Sequence, residues 1–136
     1  MNQLMEVASA IQLAVAPAFL LTAIGATLTV MTNRLARIID RFRVLNEVRS
    51  KLSNDDLLEI NLLRLRAKWT HWAIELTTLS ALLTCIVIAS IFIGTEIQFN
   101  FDQFIAFLFI GAMSALILGL ISFTREVTLS KNVVKQ

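Results

Sequence analysis

Lysine and arginine are missing from every position before Arg34 and again from Trp69 through Thr124. The twelve basic residues fall in two places only: nine between Arg34 and Lys68, and Arg125, Lys131 and Lys135 near the C-terminus. Histidine and cysteine are each represented once, by His71 and Cys85. Fourteen residues separate them, roughly 21 Å along a helix, so they form no Cys–His pair within one chain. A lone cysteine also makes no internal disulfide and leaves the redox compartment open. No HExxH, CxxC, Walker or GxGxxG pattern occurs, which argues against an enzyme, a bound metal and a cofactor. Proline occurs once, at Pro17.

What is abundant is apolar sequence. Over 136 residues, 57% are hydrophobic and the mean hydropathy is +0.74, the composition of one small membrane domain. Three stretches carry no charge: Val7–Met31, Leu76–Thr95 and Gln103–Thr124. Each has the ~20 residues needed to cross ~30 Å of hydrocarbon. Orientation follows the Lys/Arg bias of the flanks. The chain is therefore expected to cross three times, with the N-terminus outside and the basic middle section and tail in the cytoplasm. The net charge of +2 reads as this topogenic bias and as attraction to anionic headgroups, not as a nucleic-acid interface. The first stretch lacks a basic n-region and exceeds an h-region in length, so it is expected to be a retained span.

The first span does not stop at the membrane edge. Thr32–Leu52 contains neither Gly nor Pro and keeps Leu35, Ile38, Ile39, Phe42, Leu45 and Leu52 at helical spacing. Ser53-Asn54-Asp55-Asp56 then reads as a turn and a capped helix start. The return segment sets Leu58, Leu62, Leu65, Trp69 and Trp72 at alternating steps of four and three. The expected fold is all-α: spans over about 7–31, 74–95 and 103–124, with helices 1 and 2 extended into a cytoplasmic antiparallel hairpin over about 32–72. Trp69 and Trp72 mark re-entry into the interface, and His71 between them reads as a third amphipathic interface residue.

Four constellations stand out. Gly111, Ala115 and Gly119 form a small-residue stripe on span three, suited to close helix packing against another span or another subunit. Arg34, Arg37 and Arg41 share one helical stripe, and like charges at that spacing call for a compensating partner. Phospholipid headgroups reached by snorkelling would serve. The same face runs back through Val30, Ala23, Phe19, Ala16, Gln12 and Ser9. Several copies about an axis would make a pore, with Glu6 in an outer acidic ring, Phe19 as an apolar constriction and the arginines at the inner end. Glu75 is expected to lie within the hydrocarbon and to pair with Arg34 at similar depth, locking spans one and two.

The strings PAFLLTAIG (Pro17–Gly25) and TNRLARIIDR (Thr32–Arg41) resemble a family of small bacterial three-span membrane proteins of unknown function. The resemblance extends over essentially the full length. It implies topology and supplies no substrate, cofactor or functional residue.

The leading functional expectation is a homo-oligomeric membrane protein of the inner membrane with an ion pathway lined by the first helix. The competing readings are a non-conducting scaffold and a small transporter subunit. In both, the hairpin would bind a cytoplasmic protein partner or anionic lipid.

Overall fold

A computed structural model describes residues 1–51 and 53–134. Leu52 of the expected hairpin face and Lys135 of the basic tail lie outside the described residues. Three helices account for nearly all of the rest: α1 (Asn2–Glu47), α2 (Asn54–Ile97) and α3 (Asp102–Val134). All three are long and apolar enough to cross a membrane. α1 runs through Pro17 without interruption. A single 3-10 turn, Arg49–Lys51, leads to α2. Its start is fixed by a capping box: the Ser53 hydroxyl accepts from the Asp56 amide, and the Asp56 carboxylate accepts from the Ser53 amide.

α2 is the middle helix, packed against both α1 and α3. The seam is written in steps of seven. On α1 the buried residues include Ala10, Pro17, Ile24, Met31, Ile38 and Leu45, each seven after the last. On α2, Leu63, Thr70, Thr77 and Thr84 alternate with Ala73, Ser80 and Val87. On α3, Ala112, Ala115, Gly119, Ser122 and Glu126 follow the same three-four alternation. A seven-residue repeat holds one face against a neighbour through a gentle left-handed crossing.

Small hydroxyl residues line the buried seam of α2 beside apolar ones, while large apolar side chains stand on the exterior. Thr70, Thr77, Ser80 and Thr84 are fully buried, while Phe107 and Ile110 are 75% and 62% exposed. That distribution inverts a soluble core and suits a chain whose solvent is hydrocarbon, where close packing and hydrogen bonds hold helices together. The hydroxyls are satisfied locally or across the seam. Thr70 and Thr84 donate to the carbonyls of Arg66 and Ser80. Ser80 donates to the Ala112 carbonyl of α3 at 2.7 Å, and Thr77 donates to the Met31 sulfur of α1 at 3.7 Å.

A different core forms where α1 ends and α2 begins. Ile38, Leu45, Ile60 and Leu63 cluster there, with Phe42 and Ala67 against them. At the opposite pole, α2 closes on Gln98 in the left-handed region, with φ of 49°. Asn100 accepts from the Asp102 amide to open α3, and the rings of Phe99, Phe101 and Phe104 pack in sequence. α3 continues well past Thr124, so Arg125 and Lys131 belong to a helix and not to a loose tail.

Candidate functional site

Where the three helices converge near the end of α3, a carboxylate lies at the centre of the bundle. Glu126 is fully buried, and no burial of a charge is tolerable without compensation. Here the compensation is double. Arg34 of α1 donates through Nε to Oε2 at 2.9 Å and through Nη2 to Oε1 at 3.2 Å. Arg66 of α2 donates through Nε and Nη2 to Oε1 at 3.1 and 3.0 Å. Paired N–H donors on one carboxylate are a strong, directional arrangement. The Arg34 guanidinium also lies 5.6 Å from the centre of the Phe123 ring, which fixes it from a second side.

Each partner arrives by helical register. Glu126 is the next position of the seam Ala112–Ala115–Gly119–Ser122 on α3. Arg66 precedes Thr70, Ala73 and Thr77 on the inner face of α2. Arg34 stands three residues beyond the buried Met31. Beside this triad opens a cleft of about 320 Å³, lined by Arg34, Arg37, Arg41 and Arg66 with Glu59, Ile38, Leu63 and Ser130. Arg41 donates to Glu59 at 3.0 Å. Both partners are partly exposed, at 53% and 32%, so this outer pair contributes little to stability. Arg37 is exposed and joins no ion pair among the described residues.

The pair expected between Glu75 and Arg34 does not form. Glu75 instead lies 3.0 Å from His71 one turn away, and its side chain is 54% exposed. Depth along the helices is not the reason: Met31 meets Thr77, so Arg34 and Glu75 do sit at comparable levels. Direction is the reason. Glu75 stands two residues from both Ala73 and Thr77, the buried seam, and two residues turn a helix by roughly 200°. It faces outward while Arg34 faces in.

The stripe expected on α1 is free in the single chain. Ser9, Gln12, Ala16, Phe19, Ala23 and Val30 are all exposed, Phe19 at 73%. Ser9, Ala16, Ala23, Val30 and Arg37 each precede a buried seam residue by one position, so the stripe is turned roughly 100° from the α2 contact. Its basic end differs from expectation, because Glu126 and Glu59 answer the charges of Arg34 and Arg41. Glu6 and Ser9 line a second cleft, of about 590 Å³, between the start of α1 and the α2–α3 connection, with Asp102 on its far side. Gly111, Ala115 and Gly119 lie along the α2 contact: Gly119 is buried against Ala73 and Thr77, and Gly111 faces Leu83. Cys85 is exposed and unpaired.

Glu126 and Arg66 were not among the expected site residues. The signal for Glu126 was present in the three-four rhythm of the small residues before it, which places position 126 on the same inward line. No curated protein and no solved structure matches the chain. A family model described as a protein of unknown function, DUF2721, covers residues 14–136, and the chain belongs to that family.

Proposed function

We propose that the protein is a homo-oligomer of the inner membrane whose α1 helices line an ion pathway. It would cross three times, with the N-terminus outside and the C-terminus in the cytoplasm. The observation that carries this reading is the free stripe of α1. Polar Ser9 and Gln12 and small Ala16 and Ala23 stay exposed on an apolar helix that buries only the adjacent line Ala10, Pro17, Ile24 and Met31. Such a face is suited to surround water once copies close about an axis, with Phe19 as the apolar constriction.

Topology follows the charge bias, with every basic residue among the described ones on the side of the arginine cleft. α1 and α2 have 46 and 44 residues, more than twice the ~20 that a span requires. The excess lies at the Ile38–Leu63 core, which would project into the cytoplasm as an antiparallel hairpin. At the inner mouth Arg37 supplies the positive charge, since Arg34 and Arg41 are paired within the chain.

A second reading is favoured by one feature of that hairpin: Leu58 is 67% and Val44 55% exposed, apolar surface placed beyond the membrane. In this reading the assembly is a scaffold that docks a cytoplasmic protein. Ion flux from vesicles reconstituted with verified oligomer separates the two. The pathway reading expects measurable flux that rises several-fold in Phe19→Ala, because the constriction is widened and wetted. Negligible flux from both proteins would overturn it in favour of the scaffold.

A further inference from the structure

The charge count around Glu126 does not close. Two guanidiniums share one buried carboxylate in the Arg34–Glu126–Arg66 triad. The Arg41–Glu59 pair beside it is neutral, and Arg37 adds a further charge that joins no ion pair among the described residues. The cleft therefore carries four arginines against two carboxylates. Glu126 engages only the Nε and Nη2 edges of Arg34 and Arg66, which leaves the remaining guanidinium N–H groups without a carboxylate partner among the described residues. Ser130 adds a hydroxyl to the wall. Arg34 is already immobilised by Glu126 and Phe123, so an incoming anion would not have to order it.

We infer that this cleft is a binding site for a phosphate group. A tetrahedral oxyanion matches the forked donors of arginine, fits within about 320 Å³, and supplies the negative charge that the triad lacks. Glu126 acts as the positioning residue, holding two arginines at one level from opposite helices. In the topology proposed above the cleft lies at the depth of the cytoplasmic headgroups, so the source at hand is the phosphodiester of an anionic lipid. A free phosphate ion has the same chemistry.

The two sources are distinguished by native mass spectrometry and thermal shift on the purified full-length protein. Phosphatidylglycerol is titrated against phosphatidylcholine in one arm, and inorganic phosphate is added in the other. Arg37→Gln removes a cleft arginine that joins no ion pair among the described residues, so the fold is left intact. Arg43→Gln removes the same charge from the exposed hairpin surface outside the cleft. The expected result is retention of phosphatidylglycerol over phosphatidylcholine, weakened about tenfold by Arg37→Gln, the loss of one charged hydrogen-bonding partner, and unchanged by Arg43→Gln. The same pattern with inorganic phosphate alone would assign the site to a soluble anion. No preference in either arm, or equal losses in both variants, would overturn the site. Neither arm depends on flux or on the number of subunits, so failure here and failure of the pathway are separate results.

Discussion

Gly119 shows how closely two of these helices approach. A methyl group in place of its hydrogen would stand 2.6 Å from the Thr77 hydroxyl and 3.2 Å from the Ala73 carbonyl. Neither neighbour can retreat, one being backbone and the other fixed on the buried seam. Gly119→Ala is therefore expected to push α3 from α2 and destabilise the protein by about 1–3 kcal/mol. Gly25 offers the contrast: nothing lies within 4 Å of an added Cβ there. Gly25→Ala should be neutral or stabilising by up to about 1 kcal/mol, through helix propensity. Thermal unfolding of the two variants in the same detergent checks the opposite signs. The small-residue stripe containing Gly119 was legible in the sequence, because its period is local. Which helix it would meet was not, since that depends on how three spans arrange themselves.

At the scale of elements, α2 organises the molecule and Glu126 ties its three helices together at one end. Replacing Glu126 by Gln keeps the shape but leaves Arg34 and Arg66 facing each other without a counter-charge. Removing one partner of a buried pair costs about 3–5 kcal/mol. The lower end is expected here, because the side chains of Arg34 and Arg66 remain 33% and 18% exposed. The measurement is thermal unfolding of Glu126→Gln beside Glu75→Gln. The second should change little, since Glu75 meets only His71 at an exposed position. Equal losses from the two would contradict the assignment of Glu126 as the tie.

The helices themselves were readable from composition and spacing. The uninterrupted run after Thr32 is α1 continuing to Glu47, and Ser53 caps α2 as its neighbours Asp55 and Asp56 suggest. The partner of Arg34 was not readable from depth alone. Two acids lie at about the right level, and only the angle around each helix distinguishes the inward Glu126 from the outward Glu75. That angle was encoded in the seven-residue seam, a longer-range pattern than the charge-free runs that reveal spans.

For the whole molecule, the buried polar groups among the described residues lie between the helices of one chain, while the α1 stripe from Ser9 to Val30 stays exposed. Among the described residues, no buried side-chain nitrogen or oxygen lacks a hydrogen-bond partner. The single chain is thus internally satisfied, and self-association would be driven by surfaces, not by unmet hydrogen bonds. Among the surfaces exposed in the single chain are the stripe from Ser9 to Val30, apolar residues where α1 ends and α2 begins such as Val44 and Leu58, and the apolar face of α3 around Phe107 and Ile110. Only the first would place polar side chains about an axis. For copies of α1 to enclose a pathway, they must form a closed ring of roughly four or more helices. The subunit count of the protein released from mild detergent or nanodiscs, read by native mass spectrometry, tests that requirement most directly. A single species of about four or more subunits is expected; a monomer or dimer would leave too few α1 helices to enclose a pathway.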